Sequence, residues 1–175
     1  LPVVATPAHA AGPGAVSYPA GVAVAPHISR LREKIGTDLL LLPSVAVIPT
    51  DNEGRILLIH QTDSGRWATI GGAVDVDEAP EDAAVREARE EAGVEVELTG
   101  LLAALGGPRF RITYPNGDRC AYVSIVYSAR VTGGELAPDG DETDDVRWFR
   151  RDQLPGLDLS SFSRASLEAL GWIPV

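Results

Sequence analysis

Residues 71–94 read GGAVDVDEAPEDAAVREAREEAGV, and this stretch decides the fold. Pro80 is a favoured first residue of a helix and Gly93 a favoured stop, so the sequence predicts a helix between them. Its acidic side chains at spacings of three and four share one side of that helix: Glu87, Glu90 and Glu91. Neighbouring like charges destabilise a helix by roughly a few tenths of a kcal/mol each, and hard divalent cations prefer such oxygen ligands. The pattern therefore favours a metal site over the alternative of a solvated acidic helix.

The stretch resembles the signature of the Nudix hydrolases, G-x5-E-x7-R-E-U-x-E-E-x-G-U, where U is an apolar residue. Every fixed position matches, with Ala88 and Val94 as the apolar residues. The matching letters are Gly72, Glu78, Arg86, Glu87, Glu90, Glu91 and Gly93. The resemblance, which includes MutT-like and ADP-ribose pyrophosphatase-like proteins, implies an α+β fold. The expected architecture is an α/β/α sandwich around a mixed β-sheet.

The resemblance also implies a division of roles within the signature. Mg²⁺, or alternatively Mn²⁺, is expected to bind the side chains of Glu87, Glu90 and Glu91 and the carbonyl of Gly71. Glu87 is also a candidate general base. Arg86 is expected to orient the carboxylates through charged hydrogen bonds. Gly72, Glu78 and Gly93 are expected to be structural, with Glu78 bracing the loop before the helix.

A second acidic cluster follows near the end of the chain: Asp139, Asp141, Glu142, Asp144 and Asp145. The resemblance makes a late loop of this kind a place for a further metal ligand or a general base. We choose Glu142 first and Asp144 second. A solvated acidic turn is the alternative for each acid taken singly.

Residues that select the substrate are less clearly marked. Trp67, Arg109 and Tyr114 are candidates for stacking on a base or contacting phosphate, although Trp67 and Tyr114 also fit a core and Arg109 a surface charge. His60 and Cys120 are interpreted as structural, Cys120 as a buried strand residue. With a single cysteine the chain forms no internal disulfide, which fits a reducing cytoplasm.

The remaining pattern predicts mainly strands. They are expected over residues 39–50, 55–62, 94–105, 109–114, 119–131 and 146–150, and the first two are expected to pair as a hairpin across the turn at residues 51–54. Helices are expected over residues 27–36 and 160–170. Ala84, Ala88 and Ala92 form a stripe of small side chains, which predicts a close approach of the signature helix to the sheet.

Length and charge limit the function classes. The 175 residues allow one domain, with an Ala/Pro-rich irregular arm over residues 1–26 and the Nudix hydrolase domain over residues 27–175. A net charge of −10 disfavours nucleic acid and anionic membranes as partners. A small nucleotide derivative, with its charge neutralised by a divalent cation, is the expected partner, and a homodimer is a further hypothesis.

Together these observations predict a metal-dependent hydrolase that cleaves the phosphoanhydride bond of a nucleoside diphosphate derivative, such as ADP-ribose or a related compound. Two alternatives stay open. One is a pyrophosphohydrolase that cleans the pool of nucleoside triphosphates. The other is a nucleotide sensor without catalysis.

Overall fold

The computed structural model describes residues 26–175. Apart from Pro26, the arm expected over residues 1–26 lies outside the described residues. The helices are α1 (Pro26–Ile35), α2 (Pro80–Ala92) and α3 (Ser161–Ala169). The strands are β1 (Leu40–Pro49), β2 (Ile56–Gln61), β3 (Arg66–Ala68), β4 (Val94–Leu105), β5 (Arg111–Thr113), β6 (Arg119–Gly134) and β7 (Thr143–Phe149). All three expected helices are confirmed within a residue or two at each end.

The strands form two sheets. In the four-stranded sheet β6 pairs in parallel with β1 and antiparallel with β4 and β5, so this sheet is mixed as expected. In the three-stranded sheet β2 lies between β3 and β7, both antiparallel to it. The strand β3 was missed by the sequence analysis, and the strand expected over residues 109–114 is shortened because a 3₁₀ turn occupies Pro108–Phe110.

The predicted hairpin of β1 and β2 is wrong. Only one isolated bridge, between Thr50 and Ile56, joins the two strands. The reason is that both edges of β1 are already used. One edge pairs with β6, and on the other the amides of Val45 and Val47 donate to the carbonyls of Gly72 and Ile70. β2 therefore continues into the second sheet.

Two apolar cores lie on opposite faces of the sheets. Because side chains alternate along a strand, Val45 and Val47 of β1 pack toward α2, whereas Ala46 and Ile48 pack toward Leu167 of α3. The α/β/α sandwich is thus confirmed. No helix within residues 26–175 has the length and apolar character needed to cross a membrane.

The helix α2 packs closely on the sheets. Ala84, Ala88 and Ala92 are fully buried, which confirms the close approach predicted from their small side chains. Gly93 ends the helix with φ 70°, and a Cβ there would lie 2.5 Å from the carbonyl oxygen of Glu135. Only glycine fits that turn without strain.

Candidate active site

Two signature carboxylates are buried against the sheets. Glu87 and Glu91 retain 8% and 6% of their exposure, whereas Glu90 faces outward. Charged side chains are seldom buried without a partner, because removing them from water is costly. The solvated acidic helix therefore does not describe Glu87 and Glu91.

The Gly71–Gly72 segment runs directly beside these carboxylates. The amide of Gly71 donates a hydrogen bond of 2.8 Å to Oε2 of Glu91. A Cβ on Gly72 would lie 2.3 Å from Oε1 of Glu87, so a side chain there would displace that carboxylate. Gly72 thus lets the backbone approach the Glu87 carboxylate, whereas a Cβ on Gly71 would meet the carbonyl oxygen of Val45.

Arg86 connects the signature acids. Its Nη1 donates to Oε1 of Glu87 at 2.8 Å and to Oε2 of Glu90 at 2.9 Å. Its Nε and Nη2 bind both oxygens of Glu78, and Nη2 also donates to the carbonyl of Ala73. Glu78 in turn accepts from the amide of Asp75. One guanidinium therefore holds α2 and its preceding loop together, and it keeps the pKa of Glu78 below its usual range.

Burial raises the pKa of the two buried carboxyls of α2, Glu87 and Glu91. It raises the pKa of Glu87 to about 7 against the opposing charge of Arg86, and Glu90 and Glu142 raise it further. Burial is also the main reason that the pKa of Glu91 lies well above its usual range, with the charges of Glu87 and Glu142 adding to it. Negative charges thus converge here, and a bound cation would relieve their repulsion.

The late acidic loop is organised around Asp139. Its Oδ1 accepts the amides of Asp141, Glu142 and Thr143, each at 2.9 Å. Thr143 is fully buried, and its hydroxyl donates to the carbonyl of Glu91 at 2.8 Å. Neither role was predictable from the sequence, because consecutive acids do not show which one accepts backbone amides.

Asp144, our second choice as a base, faces a different partner. Its Oδ1 lies 2.7 Å from Nδ1 of His60. The His60 ring lies 5.1 Å from the ring of Trp67, which also contacts Phe149 edge-on at 4.7 Å. His60 and half-buried Trp67 therefore pack together on the second sheet, next to the loop that carries Glu142.

The other two candidate substrate residues lie elsewhere in the fold. Arg109 forms an ion pair with Glu168 of α3. The hydroxyl of Tyr114 lies 2.7 Å from that of Tyr122, in an apolar cluster that includes buried Cys120. The structure therefore does not bring Trp67, Arg109 and Tyr114 together, and their binding role stays a prediction.

A family model places this arrangement among known proteins. The model of the NUDIX domain matches residues 40–170, which include both sheets, α2 and the late acidic loop. The chain belongs to the NUDIX domain family. The resemblance stated from the signature and the assignment to Nudix-type hydrolases are thereby confirmed.

Relatives of this Nudix domain carry different activities in their names. It is 36% identical over 125 residues to an ADP-ribose pyrophosphatase from Methanocaldococcus jannaschii, covering 68% of this chain and 69% of that protein. It is 32% identical over 120 residues to an NAD-capped RNA hydrolase from Stutzerimonas stutzeri, covering 67% of this chain but 39% of that longer protein. The crystal structure of a MutT NUDIX hydrolase from Burkholderia pseudomallei is 32% identical and superposes with a TM-score of 0.61, over 74% of this chain and 97% of that one.

The donor set of the Nudix site suits a hard divalent cation. Buried carboxylates with raised pKa values, next to a further glutamate, are oxygen donors that repel one another without a cation. Within residues 26–175, no three acidic, histidine or cysteine side chains already converge as a complete set of ligands. Arg86 holds Oε1 of Glu87 and Oε2 of Glu90.

Proposed function

We propose that this Nudix domain hydrolyses the phosphoanhydride bond of a nucleoside diphosphate derivative in a metal-dependent reaction, with ADP-ribose as the first substrate to test. One observation carries the proposal. Buried Glu87 and Glu91 lie beside the Gly71–Gly72 segment, close enough to Glu142 for its charge to act on both.

The proposed ligands of Mg²⁺, or of Mn²⁺, are the side chains of Glu87, Glu90 and Glu91 and the carbonyl of Gly71. When bound, the cation would neutralise diphosphate charge, polarise the phosphoryl oxygens and lower the pKa of a bound water. Arg86 would hold the carboxylates in place through the hydrogen bonds already described. The amide of Gly71 fixes Glu91 directly.

Glu142 is the proposed general base or late ligand. Its backbone is fixed by Asp139 from one side, and its carbonyl accepts the amide of Thr62 at 3.0 Å from the other. The charge of Glu142 acts on both Glu87 and Glu91, which favours Glu142 over Asp144 as the base. Glu87 remains the alternative base on α2.

The ADP-ribose pyrophosphatase relative favours a small nucleoside diphosphate derivative. The net charge of −10 disfavours an RNA substrate such as that in the name of the Stutzerimonas relative. Trp67, whose ring lies 5.1 Å from the His60 ring near the Glu142 loop, is the best placed of the three candidate substrate residues. A cytoplasmic location and a homodimer remain predictions.

A product assay tests the proposal. The chain is incubated with ADP-ribose, an NAD-capped oligoribonucleotide or dGTP, with Mg²⁺ or with EDTA, and products are separated by chromatography. We expect AMP and ribose 5-phosphate from ADP-ribose, only with Mg²⁺. Pyrophosphate release from dGTP alone would favour the pool-cleaning alternative. No product from any nucleotide would overturn the hydrolase proposal in favour of a sensor.

A further inference from the structure

The hydroxyl of Thr143 connects the two acidic elements of the site. It donates to the main-chain carbonyl of Glu91, in the last turn of α2, across a sequence separation of 52 residues. Thr143 directly follows Glu142, so this bond limits the positions that the Glu142 backbone can take relative to α2. We infer that Thr143 is a positioning residue that holds Glu142 against the α2 carboxylates. The inference rests on the proposed function of Glu142.

The bond satisfies a carbonyl that the helix leaves without a partner. The last four carbonyls of a helix accept no hydrogen bond from an amide of the same helix. Glu91 is the second-last residue of α2, so its carbonyl is one of these four. Thr143 thus meets a backbone need at the same time as it attaches the loop. Because the bonded atom belongs to the main chain, the attachment leaves the Glu91 carboxylate available.

Two further residues, Asp139 and Thr62, hold the same loop. Oδ1 of Asp139 accepts the amides of Asp141, Glu142 and Thr143, so the three residues turn around one oxygen. On the other side, the exposed hydroxyl of Thr62 donates to the carbonyl of Asp141 at 2.6 Å. The loop is therefore attached to α2 by Thr143 and to the end of β2 by Thr62.

Packing alone does not explain a threonine at this position. Thr143 is completely buried, and valine has nearly the same shape without a hydroxyl. If the site needed only volume, Thr143→Val would be neutral. If it needs the hydrogen bond, Thr143→Ser would preserve the function although it removes a methyl group. The pair of variants separates the two roles.

The first arm of the test measures hydrolysis of ADP-ribose with Mg²⁺. We expect Thr143→Val to lower kcat about tenfold and to leave KM within about twofold, because a displaced base affects the transition state more than binding. Thr143→Ser should restore kcat to within about threefold of the wild type. In a Glu142→Gln background, Thr143→Val should lower kcat no further. Unchanged kcat in Thr143→Val, or equal losses for Val and Ser, would overturn the inference.

The second arm needs no activity and uses hydrogen exchange of the loop amides. The amides of residues 141–143 should exchange faster in Thr143→Val than in the wild type, and Thr143→Ser should retain their protection. Should Thr143→Val not fold, Thr143→Ala is the second variant, because it removes the same hydroxyl. It should speed exchange of the same amides and lower kcat. Unchanged exchange in every folded variant would overturn the inference, whereas a wild type inactive on all nucleotides would overturn the proposed function instead.

Discussion

Glu91 is a buried carboxyl that is also a proposed metal ligand. Glu91→Gln keeps an oxygen that can accept the Gly71 amide and removes a buried charge repelled by Glu87 and Glu142. We expect turnover to fall about 100-fold or more, since a lost ligand weakens stabilisation of transition-state charge by several kcal/mol. The thermal midpoint should stay equal or rise.

The matched control for Glu91→Gln is Arg89→Ala on the same helix. Arg89 pairs with Glu95 at the surface, where solvent and salt weaken such pairs. Its activity should equal that of the wild type. Steady-state kinetics and thermal unfolding of both variants make the comparison, and full turnover in Glu91→Gln would reduce Glu91 to a structural acid.

The assignment of the base is tested on the late loop. Glu142→Gln should lower kcat about 100-fold, within the range for a lost general base, with KM nearly unchanged. Asp144→Asn should have a smaller effect, because Asp144 is engaged with His60. Loss of activity in Asp144→Asn alone would transfer the role to Asp144, and full activity in both would transfer it to Glu87.

The raised pKa of Glu87 makes the metal-free protein sensitive to pH. Its folded-state pKa of about 7 lies above the usual glutamate value, so as pH falls the folded state binds the proton at a higher pH than the unfolded state does. Its contribution to stability is therefore present at low pH and is lost as pH rises through about 7. With EDTA present, the thermal midpoint should fall between about pH 5 and pH 8. Glu87→Gln should flatten this slope, and an unchanged slope would contradict the assignment.

Among the elements, α1 precedes the first strand, and a variant of its buried arginine tests whether this helix belongs to the cooperative core. Arg32 of α1 is 2% exposed; its guanidinium lies 3.5 Å from Asp118 and donates to the carbonyls of Asp38 and Arg119. Arg32→Leu should lower the free energy of unfolding by about 3 kcal/mol or more, because Asp118 would stay buried without its cation. Exposed Arg30→Leu is the control and should change it by less than about 0.5 kcal/mol. Urea unfolding measures both, and equal stabilities would show that α1 is not part of the cooperative core.

The elements that could be predicted from the sequence are those specified by residues within the element itself. The helix α2 was predictable because Pro80, Gly93 and the glutamate spacing are local signals. The pairing of β1 was not, since its partners are β6 and the Gly71–Gly72 segment, both distant in sequence. The roles of Asp139 and Thr143 could not be predicted either, because their partners are backbone groups, which every residue possesses.

At the scale of the whole molecule, the fold should not depend on the metal. Apolar cores lie on both faces of the sheets, and the proposed ligands belong to neither. Removal of divalent ions by EDTA should therefore abolish activity and leave the far-UV circular dichroism spectrum unchanged, unlike small domains that fold only with zinc. A loss of helical signal on chelation would contradict this expectation.

The candidate site lies across the boundary between the two sheets. The Gly71–Gly72 segment runs along β1 of one sheet, whereas the Glu142 loop leads into β7 of the other. A bound molecule that contacts both the Gly71–Gly72 segment and the Glu142 loop would connect the two sheets. Force applied across the two sheets should then meet more resistance in the ligand-bound protein than in the free protein.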